Sequence, residues 1–135
     1  MKGLLDTSVV VALSQLDAAQ LPGEPLISAV TLAELTVGPL VAGDDLERAR
    51  RQAVLQQAEA DFDPLPFDAA SARAFGQVAA SLRRANRKAT ARAYDALIAA
   101  TALAHGLPLY TANPADVEMI DGLSVQTVRV PAPRR

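Results

Sequence analysis

Four acids in this chain follow short apolar runs or sit on the helices after them. They are Asp6 in GLLDTSVVVAL, Glu34 in SAVTLAELTVG, Asp95 in RAYDALIAATALAHG and Asp116 in LYTANPADVEM. In an open parallel sheet, ligands collect outside the carboxyl ends of the strands, where the next helices begin. Each acid has an ordinary explanation by itself. Asp6 suits a helix N-cap, Glu34 an exposed helix position, Asp95 a first-turn dipole contact and Asp116 an Asn-Pro turn. Together they say more. Carboxylates gathered within a few ångströms repel one another, and are protonated or destabilising without a cation. Mg²⁺, or Mn²⁺ in its place, favours hard oxygen ligands and is the simplest counter-charge.

The elements that must position these acids are short. Lys2 to Leu5 reads as a strand and Ser8 to Leu16 as a helix, followed by a Pro-Gly loop at Pro22-Gly23. Pro25 to Ser28 reads as a second strand, Val30 to Val41 as a helix weakened by Gly38-Pro39, and Asp44-Asp45 as the start of a helix reaching Ala60. Phe62 to Pro66 is expected to form a third strand, and Asp68 to cap a long helix through Asn86. A helix over Arg92 to His105, stopped by Gly106, precedes a strand at Pro108 to Thr111. A turn or short helix over Asn113 to Glu118 and a last strand at Leu123 to Val128 complete the chain. Strands alternating with helices predict an α/β domain, its mainly parallel sheet of four or five short strands covered on both faces. One domain over 1–130 and a flexible tail at 131–135 are expected from the length of 135 residues and the closing Pro-Ala-Pro-Arg-Arg.

Composition narrows the function. The absence of cysteine excludes disulfides, thiolate catalysis and cysteine-ligated metals. No apolar run reaches the roughly 18 residues of a membrane span, and Lys2 leads into no cleavable leader. A cytoplasmic protein with no membrane association is therefore expected. A net charge of −2 argues against coating nucleic acid by bulk charge, and few aromatics argue against base-stacking platforms.

The segments DTSVVVAL, AELTVG and, most specifically, YDALIAATALAHGLPLYTANPAD resemble the PIN-domain ribonucleases, in particular the VapC-type toxins of toxin–antitoxin pairs. The resemblance runs through essentially the whole chain in order and spacing. It implies a three-layer α/β/α PIN-like fold, Mg²⁺-dependent endoribonuclease activity, a homodimer, and inhibition by a small cognate antitoxin whose arginine enters the acidic site. Carried over by position, Asp6 and Asp95 match the most dependable metal-site acids of the family, and Glu34 the acid on the helix after the second strand. The fourth position falls at Asn113 in some family members' spacing and at Asp116 in others'. Asp116 is taken as the carboxylate, with Asn113 and Thr111 as polar partners.

The implied reaction is hydrolysis of an RNA phosphodiester to a 5′-phosphate and a 3′-hydroxyl by metal-activated water. A metal-free route through paired histidines is excluded, since His105 is the single histidine and suits a helix C-terminus. Five cations in SLRRANRKATAR lead into the helix bearing Asp95 with no acid among them. Arg84, Arg87 and Arg92 are the candidates to hold the RNA backbone. Arg48, Arg50 and Arg51 stand beside Asp44, Asp45 and Glu47 and read as surface residues. A phosphoacceptor receiver is disfavoured because Asp6 is followed by Thr7 rather than a second acid, and the only lysines are Lys2 and Lys88. A catalytically silent PIN-like interaction module is the remaining rival, disfavoured because all four acid positions can be filled.

Overall fold

The computed structural model describes residues 1–131, so all of the expected tail except Pro131 lies outside the described residues. The first strand, β1 (Lys2–Leu5), sets the layering. Successive side chains of a strand point to opposite faces. Leu4 packs with Val78, Leu82, Ile98 and Leu109, while Leu5 packs with Val9, Ile27, Leu35 and Val128. Two hydrophobic cores, one on each side, make a three-layer α/β/α domain.

The order along the chain is β1, α1 (Thr7–Val10), β2 (Glu24–Leu26), α2 (Ala29–Leu40), α3 (Asp45–Asp61), α4 (Ala69–Arg84), α5 (Ala93–Ala104), β3 (Leu109–Thr111) and β4 (Val125–Thr127). The four strands are all parallel, in the order β2-β1-β3-β4. Helices α4 and α5 supply one core, and α1, α2 and α3 the other. With β1 central and in register with β3 through Leu4↔Leu109 and Leu5↔Tyr110, the two strands end side by side. Gly3 is needed for this packing, because a Cβ there would lie 2.5 Å from Tyr110 Cε1.

Three expectations need correction. The strand expected over 62–66 is reduced to one bridge between Ser28 and Leu65. Pro64 and Pro66 have no N–H to donate, so only Leu65 pairs, donating to Ile27 O at 2.9 Å and accepting from Ala29 N at 2.8 Å. The first helix stops at Val10 instead of Leu16, and a 3₁₀ turn follows at Leu13–Gln15. Its β-branched run Val9-Val10-Val11 crowds a regular helix, and Ala12 N turns to Val9 O in a tighter bond of 3.2 Å. The helix expected from Arg92 begins at Ala93, after a 3₁₀ turn over Ala89–Arg92.

Two helix ends are built alike. Gly106, at φ 63°, closes α5 with Leu107 N donating to Ala102 O and Gly106 N to Leu103 O. Asn86, at φ 60°, closes α4 with Arg87 N donating to Leu82 O and Asn86 N to Arg83 O. Both are Schellman turns, and asparagine is the side chain other than glycine that best tolerates the left-handed region. The second turn brings the chain back toward α5 and sets the course of Arg87. Asn86→Ala should therefore cost about 1 kcal/mol in chemical denaturation, and Asn86→Gly less. Equal stability of all three proteins would remove Asn86 from that role.

The arginines of α3 are used as expected at the surface, with one addition. Arg48 pairs with Asp45 at 2.9 Å and Arg51 with Glu47 at 3.0 Å. Arg51 Nη1 also donates to Gly38 O at 3.0 Å and Arg48 Nε to Pro39 O at 3.3 Å, satisfying carbonyls at the end of α2. Among the described residues no helix is long and apolar enough to cross a membrane.

Candidate active site

The Asp-Thr-Ser run after β1 divides its polar work three ways. Asp6, buried, continues from β1 with its N–H donating to Tyr110 O on β3 at 2.9 Å. Its Oδ1 accepts from Val9 N at 3.3 Å, capping α1, and from the Ser8 hydroxyl. Oδ2 has no hydrogen bond among the described residues. Ser8 Oγ in turn accepts from Ala112 N at 3.1 Å, tying Asp6 to the chain leaving β3. The ordinary role of Asp6 as a cap is thus real, and it occupies only one carboxylate oxygen.

Thr7 reaches the second acid. Its Oγ1 donates to Glu34 Oε1 at 2.6 Å, and lies 3.1 Å from Thr31 Oγ1. A hydroxyl has one proton. With that of Thr7 given to the carboxylate, Thr31 supplies the proton between the two threonines. Ser28, fully buried, caps α2 by accepting from Thr31 N at 3.1 Å and lies 3.4 Å from Thr31 Oγ1. The hydroxyls of Ser28, Thr31 and Thr7 therefore form one directed chain ending on Glu34. Sequence reasoning gave no role to Thr7, Ser8 or Thr31 at the site. The available signal was three polar residues after a buried strand, where a single cap would suffice.

Asp95 stands in the first turn of α5, and Asp116 ends a 3₁₀ turn over Pro114–Asp116 anchored by buried Val117 and Ile120. Burial pushes the Glu34 carboxyl above its ordinary pKa, opposed by the Thr7 hydrogen bond and reinforced by the charges of Asp95 and Asp6. Burial also pushes Asp95 up, helped by the charges of Asp6 and Asp116 and offset by Arg92. Acids from the end of β1, from α2, from α5 and from the loop after β3 thus share one electrostatic environment. Asn113, by contrast, is exposed; its N–H is held by Thr111 Oγ1 at 3.0 Å, and its side chain makes no hydrogen bond among the described residues. Asp116 is the fourth acid in reach.

The three candidate RNA-binding arginines separate. Arg92 Nη1 lies 3.4 Å from Asp116 and 4.0 Å from Asp95, and Arg87 Nη1 lies 3.7 Å from Asp116. These ion pairs are long and their arginine ends are solvent-exposed, so they are easily exchanged. Arg84 is held elsewhere, 2.6 Å from Asp121 and 3.3 Å from Ser81 Oγ. His105 caps the C-terminal end of α5, and its charge helps lower the pKa of Asp68 after the larger effect of hydrogen bonds from Ser71.

Among the described residues no three metal-ligating side chains converge closely enough to hold an ion as they stand. The donor set nevertheless suits Mg²⁺. That ion keeps several of its waters and needs only one or two carboxylates directly. Asp6 Oδ2 and Glu34 Oε2 have no hydrogen bond among the described residues, and Asp95 has none on either carboxylate oxygen.

Known proteins resemble this chain in sequence and in fold. The PIN domain family matches residues 4–116. The chain is 39% identical over 132 residues to Ribonuclease VapC5 of Mycobacterium tuberculosis, covering 95% of each, and 30% identical to Ribonuclease VapC1 of Rickettsia felis, covering 93% of this chain and 95% of that one. The crystal structure of VapBC-5, a member of the VapBC family of toxin-antitoxin systems from Mycobacterium tuberculosis, superposes with a TM-score of 0.80 at 38% identity. That superposition covers 96% of this chain and 98% of the other. The chain belongs to the PIN-domain family, among the VapC ribonucleases.

Proposed function

We propose that this ribonuclease is a Mg²⁺-dependent endonuclease acting in the cytoplasm as the toxin of a toxin–antitoxin pair, cleaving RNA to inhibit translation or growth. The observation that carries the metal is the nearness of Asp6, Glu34, Asp95 and Asp116, whose charges add to the larger effect of burial in raising the Glu34 and Asp95 pKa values, together with carboxylate oxygens of Asp6, Glu34 and Asp95 that have no hydrogen bond among the described residues. Asp6 and Asp95 would hold the ion, with Glu34 and Asp116 completing the acidic cup, directly or through water. When bound, Mg²⁺ would polarise a phosphate oxygen and lower the pKa of a water, and Mn²⁺ would substitute.

The chain's own groups do the rest. Thr7 fixes Oε1 of Glu34, leaving Oε2 to orient the attacking water and receive its proton. The new bond joins water oxygen to phosphorus, and the P–O3′ bond breaks. The leaving 3′ oxygen is protonated from solvent, and the phosphate stays on the 5′ oxygen of the downstream product. Arg87 and Arg92 exchange their long contacts with Asp116 for phosphate oxygens of the RNA.

Incubation with total RNA and Mg²⁺ should produce 5′-phosphate ends, and chelation should stop it. RNA left intact in Mg²⁺ and Mn²⁺ would return the protein to a silent interaction module. In RNA binding, Arg87→Ala should reduce the logarithmic salt slope by about 0.7, the share of one single-strand phosphate contact, while Arg84→Ala leaves it unchanged. Equal effects of the two would dissolve the distinction drawn between them.

The antitoxin partner is supported by the relative whose solved structure belongs to a VapBC toxin–antitoxin system. An arginine from such a partner would neutralise the same acids that hold the metal. A homodimer is supported by exposed Val37, Leu40, Val41 and Leu46, clustered in sequence around the α2–α3 connection.

A further inference from the structure

Beside the acids lies a cleft of about 170 Å³ whose floor is Leu82, Ala96, Val117 and Ile120. All four side chains are buried at 7% exposure or less in the α4–α5 core, Leu82 and Ala96 from α4 and α5 and Val117 and Ile120 from the loop after β3, so the floor is rigid. The rim carries Arg87, Lys88 and Arg92, and the wall is shared with Asp95 and Asp116. The nuclease reading uses the cations and the acids but gives the apolar floor no role.

We infer that this cleft is a subsite for one nucleobase of the RNA, that of the nucleotide next to the scissile phosphate. The inference rests on the nuclease reading of the neighbouring acids. Size points to a single ring system, because pockets for drug-sized ligands run to roughly 300–1,000 Å³. Charge points to a nucleotide over a peptide side chain. Once a divalent cation neutralises Asp95 and Asp116, the three rim cations are left without acidic partners in the cleft and need phosphates on either side of whatever enters. Chemistry supplies the grip without an aromatic platform. An unstacked base lays one face on the apolar floor and presents the other to the guanidinium plane of Arg87 or Arg92, a kind of surface on which bases stack. Because Asp95 and Asp116 belong to both cleft and acid cluster, a base seated here has its own phosphate beside the reacting position.

Ala91 tests this, since it lines the cleft from the exposed 3₁₀ turn and is no part of the core. Ala91→Leu fills the cleft without adding an aromatic face. Total RNA is digested in Mg²⁺ with wild type and with Ala91→Leu, and the new 5′ ends are sequenced. Wild type should show base bias at a position adjoining the cut, and Ala91→Leu should flatten that position while sparing others. In parallel, a short oligoribonucleotide containing a cut site is compared with one made abasic at that position. Wild type should discriminate by about fivefold in KM, the lower end of what one base contact is worth, and Ala91→Leu by none. Cleavage with unchanged bias in the variant, or wild type indifferent to the abasic position, overturns the subsite and leaves the nuclease standing. No cleavage of any RNA by wild type overturns both.

Discussion

Asp95→Asn should yield a folded protein whose RNA cleavage in Mg²⁺ falls by at least about a hundredfold, the scale on which even outer partners of a metal site act. The substitution keeps the shape of the side chain and removes its charge. Asp95 makes no hydrogen bond among the described residues, so its ionisation is favoured in the fold only by the first-turn dipole of α5 and the weak 4.0 Å contact with Arg92. Its carboxyl is pushed up first by burial, then by Asp6 and Asp116. Removing the charge relieves these penalties in the metal-free protein while stripping the site of a ligand. Activity and stability should therefore move in opposite directions. Asp6→Asn should lose activity similarly, because the amide oxygen can keep the contacts from Val9 N and Ser8 while Oδ2 is lost. Wild-type turnover by either variant would sink the assignment. Loss of activity accompanied by a lower melting temperature for Asp95→Asn would mean that Asp95 serves the fold.

That separation was partly legible from residue types. A buried strand ending in Asp6 marks a sheet edge, and apolar runs after Glu34 and Asp95 mark helices packed on it. The layered architecture follows from such alternation, since a strand with consecutive leucines has to be covered on both faces. The residue pattern did not carry the hydroxyl chain from Ser28 through Thr31 and Thr7 to Glu34. These residues meet only when β1 and β2 lie in register, and hydroxyls in a sequence read equally well as caps. The fate of 62–66 was hidden for a different reason. Phe62 and Leu65 look strand-like, but proline limits pairing to one residue, and the outcome depends on what lies alongside. Arg84 and Arg87 belong to the same basic run, yet Asn86 reverses the chain between them. One guanidinium goes to Asp121 and the other to Asp116.

The pH dependence of the metal-free protein gives the second large effect, and its sign follows from linkage. A carboxyl whose pKa is higher in the folded state binds more protons there than in the unfolded chain, so stability falls as pH rises between the two values. Glu34 and Asp95 both have raised values, Glu34 chiefly by burial against the hydrogen bond from Thr7, Asp95 chiefly by burial and the neighbouring Asp6. The stabilising protons are present below the ordinary carboxylate range and are lost as each group passes its folded pKa. Without metal, the melting temperature of wild type should thus fall relative to that of Asp95→Asn as pH climbs from about 4 toward neutrality. Thr7→Val should deepen the loss at Glu34, because it deletes the one contact that lowers this pKa. Added Mg²⁺ should raise the melting temperature of wild type most at neutral pH, where the carboxylates are ionised, and do little at acid pH. Measured by calorimetry across that range with chelator and with Mg²⁺, parallel curves for wild type and Asp95→Asn would show that neither burial nor repulsion by Asp6 and Asp116 acts on Asp95. A site without that repulsion has no need of a cation.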